Sequence, residues 1–119
     1  VLGSSGKLTA QTKNGADFAL FMSANMKYPQ SLYKDGFATT KPVVYAQGAL
    51  ALFSVKKLDF SKGLELLKGS SISTIAIANP KTAPYGTAAM EAVKNAKLFS
   101  RLKKKFVYAE SISQCVSYV

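Results

Sequence analysis

The stretch Thr74-Ile75-Ala76-Ile77-Ala78-Asn79-Pro80-Lys81-Thr82-Ala83-Pro84-Tyr85-Gly86 constrains the fold more than any other. Its first five residues form a short apolar run, the pattern of a buried strand. Pro84 suits the first position of a helix, where its missing N–H is not needed and its fixed φ is already helical. From Thr87 to Lys94 nothing breaks that helix, and Ala88, Ala92 and Val93 recur at helical spacing. The N–H groups of Tyr85 and Gly86 then fall in the first turn and have no partner inside the helix. Strand, tight turn and open helix N-terminus together outline an anion site. Every βα unit has such a terminus, however, and most of them hold only water.

The rest of the chain reads as further α/β units. Val1 to Leu8 is the end of a strand, a turn and the start of a helix running to about Asn14, with Ser4 or Ser5 as its cap. It is not a phosphate-binding P-loop, which needs glycine at Val1 and a hydroxyl at Leu8. Asn14-Gly15 is a helix stop. Asp17 to Met22 reads as a short buried strand. Ser23-Ala24-Asn25 then caps a helix carrying Met26, Tyr28, Leu32 and Tyr33, with Pro29 tolerated in its first turn. Tyr28 and Tyr33 read as packing residues. After a polar connection from Phe37 to Pro42, Val43 to Ala46 and Ala49 to Val55 are strand-like. Phe60 to Leu67 is a short amphipathic helix. Ala96 to Leu102 is another, burying Leu98, Phe99 and Leu102. Phe106 to Ala109 is a strand, and Ser111 with Gln114 forms a capping box for a final helix.

Composition narrows the chemistry. With 119 residues, 48% hydrophobic and 18% charged, the chain suits one globular domain with a modest core. No apolar run approaches the ~20 residues that span a membrane. There is no histidine, and Cys115 is the single cysteine. That argues against zinc sites, Ser-His-Asp triads and an internal disulfide, and nothing calls for a cofactor or a metal held directly by side chains. A phosphate-ester enzyme would also need a carboxylate cluster or a true P-loop. The net charge of +10 fits nucleic acid, small anions or simply a solvated basic surface. The densest cluster is Arg101, Lys103, Lys104 and Lys105. It lacks the interleaved aromatic or amide side chains that read bases, so nucleic acid is not expected and the cluster reads as solvated surface.

Four segments share a further likeness: GSSGKL at Gly3 to Leu8, GADFALFMSAN at Gly15 to Asn25, NPKTAPYG at Asn79 to Gly86, and FVYAESISQ at Phe106 to Gln114. In this order, and over almost the whole chain, they resemble the periplasmic molybdate-binding proteins of ABC importers, the ModA family. The resemblance implies an α/β fold like that of type II periplasmic solute-binding proteins. Residues 1–42 would be part of a first lobe and 43–119 a second lobe without its C-terminal part, with a hinge near 41–48. Members of that family begin earlier, with an Ala-Ser donor pair, and continue later to a Gly-x-x-Tyr segment. The expectation is therefore a chain incomplete at both ends. Its free sheet edges would be covered by a second copy, as a homodimer, or by a crystal neighbour.

The resemblance also implies a function: a non-enzymatic periplasmic receptor, its signal peptide not in this chain. It would take molybdate or tungstate between its lobes and deliver it to an ABC permease. In the family a serine at the position of Ser5 gives its hydroxyl and N–H to the oxyanion, with Ser4 the less certain neighbour. The residue at Ile112 gives its backbone N–H. With Tyr85 this makes three helix N-termini aimed at one space. Neutral N–H and O–H donors suit an unprotonated dianion, and helix dipoles avoid burying a lysine or arginine. Phosphate still carries a proton near neutral pH and would want an acceptor carboxylate. Asp17 is badly placed for that, and Glu110 lies beside Ile112. Donor chemistry does not separate molybdate from sulfate. A receptor or regulator-linked sensor domain for sulfate or phosphate is the alternative.

Overall fold

The computed structural model describes all residues from Val1 to Val119. Its centre is a two-stranded parallel sheet, β1 (Ile75–Ala78) and β2 (Phe106–Ala109), in register from Ile75 opposite Phe106 to Ala78 opposite Ala109. Parallel strands need a long crossover. Here it is α3 (Pro84–Asn95) and α4 (Phe99–Leu102). α5 (Ile112–Ser117) follows β2 and packs on both strands. α1 (Ser5–Lys13) and α2 (Lys27–Lys34) precede the sheet and pack on each other.

The two ends of the sheet are built from different residues. At one end Leu67, Val93, Leu98 and Leu102 are buried with Ile75, Phe99 and Phe106 against them. Filling this space with branched and aromatic side chains is what secures α3 and α4 to the strands. At the carboxyl end the core is Ala78, Ala83, Ala109 and Cys115. Small side chains there let helix starts approach the strand ends closely. In open α/β sheets that end is where ligands bind.

Several expected elements take another form. Asp17 to Met22, Val43 to Ala46 and Ala49 to Val55 are not strands. A strand exists only through its ladder, and no backbone–backbone hydrogen bond involves residues 38–58. Val43, Tyr45, Phe53 and Val55 stand well exposed as a result. The radius of gyration is 16.4 Å, against about 13.5 Å for a compact domain of this length, and the longest dimension is 50 Å. The helix expected over Phe60 to Leu67 is a 3-10 segment, Phe60–Lys68, broken at Gly63, whose φ of 54° is non-helical. The helix expected from Ala96 starts only at Phe99, because Lys97 takes a φ of 58° and ends the preceding turn.

The basic cluster is not solvated throughout. Lys105 Nζ donates to the carbonyls of Leu67 and Gly69, both at 2.9 Å, satisfying the frayed end of the 3-10 segment. Arg101, Lys103 and Lys104 are exposed.

Candidate functional site

Three helices start near the carboxyl ends of β1 and β2, and each start leaves donors unused. The turn before α3 is tied to itself. Asn79 Oδ1 accepts the Lys81 N–H at 3.0 Å, the Asn79 carbonyl accepts the Ala83 N–H at 2.8 Å, and Thr87 Oγ1 donates to the Pro80 carbonyl at 2.8 Å. Pro84 is in the first turn, as its sequence position predicts. The Tyr85 and Gly86 N–H groups have no hydrogen-bond partner in the protein. At α5, Ser111 Oγ accepts the Gln114 N–H at 3.2 Å and Gln114 Oε1 accepts the Glu110 N–H at 2.7 Å. That is the expected capping box. It leaves the N–H groups of Ile112 and Ser113 unpaired.

α1 is brought to the same end of the sheet by Gly6. Its N–H donates to the Thr82 carbonyl at 2.9 Å, and a Cβ on Gly6 would lie 2.7 Å from that oxygen. Gly86 does the same for α3. A Cβ there would overlap the Ala78 carbonyl and sit 2.9 Å from the Asn79 carbonyl carbon. No side chain larger than hydrogen fits either approach.

Around the first turn of α1 the polar groups are unusually short of partners. Ser5 is buried, and its Oγ accepts the Ala24 N–H at 3.2 Å, which leaves the hydroxyl proton to donate elsewhere. Ser23-Ala24-Asn25 therefore does not cap α2, whose N-cap is Met26; it holds Ser5 instead. Ser4 is the N-cap residue of α1 but makes no side-chain cap. Its Oγ is buried without a partner, as are Thr82 Oγ1 and Asn25 Oδ1. An unmade hydrogen bond of this kind costs about 1–3 kcal/mol, so a cluster of them points to a missing partner.

A cleft of about 220 Å³ opens between α1 and the start of α5. Ser4, Lys7 and Gln11 form one wall and Glu110 and Ser111 the other. Of the four residues singled out in the sequence, only Ser4 lines this cleft. Ser5 sits one residue away on the face toward Ala24, and Ile112, 48% exposed, follows Ser111. Tyr85 lies on another side: its hydroxyl is 2.9 Å from where a Cβ on Gly48 would be, so Gly48 lies against the hydroxyl edge of its ring. Sequence reasoning missed Gly6, Ala24 and Thr82. Only Gly6 gave a signal, since glycine in a first helical turn costs about 1 kcal/mol and needs a reason.

The whole chain, residues 1–119, matches the family of bacterial extracellular solute-binding proteins. The chain belongs to that family. Its resemblance to known members is close in both sequence and structure. It is 36% identical over 118 residues to the molybdate-binding protein ModA of Azotobacter vinelandii, covering 98% of this chain and 47% of that protein. Against ModA of Rhodobacter capsulatus the identity is 34%, covering 98% and 46%. It is also 30% identical to the putative ABC transporter substrate-binding lipoprotein YvgL of Bacillus subtilis, covering 98% and 45%. The solved structure of the Azotobacter vinelandii periplasmic molybdate-binding protein superposes with a TM-score of 0.86 at 37% identity, over 97% of this chain and 51% of that one. The α/β solute-binding fold expected from the sequence is thus the fold observed. The chain spans about half the length of the curated relatives it matches.

Proposed function

We propose that this chain carries part of a receptor for a tetrahedral oxyanion, molybdate first among them and tungstate with it. The receptor would work in the periplasm, hand its ligand to an ABC permease in the membrane and catalyse nothing. The observation that carries the reading is the gathering of three helix starts, α1, α3 and α5, at one end of a parallel sheet. The N–H groups of Ser5, Tyr85 and Ile112 are unpaired there, and a buried Ser4 hydroxyl has no partner. Such an arrangement offers many donors and no buried cation, which suits an anion that accepts on every oxygen. The molybdate-binding relatives support the choice of ligand.

In this reading Ser5 gives both hydroxyl and N–H, while Tyr85 and Ile112 give backbone N–H alone. Residues 1–42 and 43–119 belong to two lobes, and 41–48 is the hinge. A ligand touching both lobes stabilises the closed form by its differential contacts. The free edges of β1 and β2 are where a second copy would pair.

Calorimetric titration of the chain with molybdate in excess sulfate tests the reading. Saturable one-to-one binding that sulfate does not displace supports it. Displacement by sulfate at equal concentration moves the assignment to a sulfate receptor. Absence of binding by any tetrahedral anion, in this chain and in a chain of the relatives' full length, removes it.

A further inference from the structure

We propose that Glu110 sets which oxyanions the site accepts, by the charge and hydrogen-bonding sense of its carboxylate. The inference rests on the oxyanion reading above and adds a residue that acts against the preferred ligand as well as for others. Glu110 lines the same cleft as Ser4, Lys7 and Ser111, across from the first turn of α1. Ser4, on the same wall as Lys7, is only 6% exposed and its Oγ has no partner. Lys7 and Glu110 are the side-chain charges on the walls, and they are of opposite sign.

The two charges treat ligands differently. Lys7 attracts any anion. The Glu110 carboxylate accepts hydrogen bonds and donates none. Toward an unprotonated dianion such as molybdate or sulfate it is purely repulsive. Toward hydrogen phosphate, which carries one O–H, it is an acceptor that offsets part of that repulsion. A site with Glu110 in place therefore binds dianions less tightly than its donors alone would allow, and it discriminates less against protonated anions.

Glu110→Gln is a suitable probe because the fold contacts at this position belong to the backbone. The Glu110 N–H is held by Gln114 Oε1, and the substitution leaves that bond in place. Glu91→Gln changes the net charge equally, on the wall of a separate hollow beside Phe99 and Tyr108, and serves as the control. Dissociation constants for molybdate, sulfate and inorganic phosphate are measured for all three proteins at one pH and ionic strength.

For Glu110→Gln, molybdate and sulfate should bind about tenfold more tightly, from removal of a repulsion across one small cleft. Phosphate should gain clearly less, so the phosphate-to-molybdate ratio of dissociation constants rises. Glu91→Gln should leave the ratio unchanged. An unchanged ratio in Glu110→Gln, with molybdate still bound, overturns the role of Glu110 and leaves the receptor reading intact. Equal gains in Glu110→Gln and Glu91→Gln also overturn it, since they mark a general charge effect. Failure of every protein to bind any of the three anions, in this chain and in a chain of the relatives' full length, overturns the receptor reading itself.

Discussion

The Gly6 N–H donates to the Thr82 carbonyl at 2.9 Å, and this bond joins the first turn of α1 to the turn that launches α3. It depends on the bare Cα of Gly6, because a Cβ there would stand 2.7 Å from the same oxygen and 3.1 Å from the Thr82 Cα. On the other side of the turn, Gly86 lies against the Ala78 backbone in the same way. Two helix N-termini thus meet through two glycines.

Replacing Gly86 by alanine should destabilise the protein by about 2 kcal/mol or more, because the obstacle is backbone and has no rotamer to yield. Gly3→Ala is the comparison, since its added Cβ meets Leu8 at an ordinary 3.5 Å. Urea unfolding should show a loss for the first and a change within about 0.5 kcal/mol for the second. Equal midpoints would mean that α3 does not pack on β1 this closely.

Ser5→Ala removes two things at once, the acceptor for the Ala24 N–H and the hydroxyl offered to the anion. A lost charge-assisted hydrogen bond of about 1.5–3 kcal/mol predicts roughly 10- to 150-fold weaker oxyanion binding by calorimetry. Hydrogen exchange at Ala24 should quicken in the same variant. Unchanged affinity would place the anion away from α1.

Lys105 differs from its neighbours in what it touches. Lys105→Met should cost about 1–3 kcal/mol, because the Leu67 and Gly69 carbonyls lose a charged donor. Lys104→Met, at an exposed position, should be nearly neutral. Thermal melts of the two variants decide the matter.

Asp35 holds the C-terminal ends of α1 and α2 together through Lys13 at 2.6 Å and Ser31 at 3.2 Å. The hydrogen bond from Lys13, then that from Ser31, keeps its carboxyl below the usual carboxylate value. A group with a depressed folded pKa stabilises above its unfolded pKa of about 3.9 and loses that contribution as pH falls through the folded value. The stability difference between wild type and Asp35→Asn should therefore be constant near neutrality, start to fall near pH 4 and vanish only below the depressed folded value. A difference undiminished at pH 2 would exclude the ion pair as its source.

Local chemistry made one half of this molecule legible in advance. The apolar run at Ile75–Ala78, Pro84 opening α3, the Ser111–Gln114 box and the Phe106–Ala109 strand all carry their cause within a few residues, and each is found where the sequence places it. Residues 43–55 have equally good strand composition and form none. A helix closes its own hydrogen bonds, whereas a strand is decided by whatever chain lies alongside it.

The surroundings of the candidate site belong to the second kind. Sequence alone marked Ser5, Tyr85 and Ile112 as helix starts. That Gly6 meets Thr82, that Ala24 holds Ser5, and that Glu110 shares a cleft with Ser4 follow only from packing α1 against three segments that lie from 19 to more than 100 residues along the chain. Contacts across such separations leave no periodicity in the chain, because they are set by the shapes of two surfaces and not by the order of residues on either one.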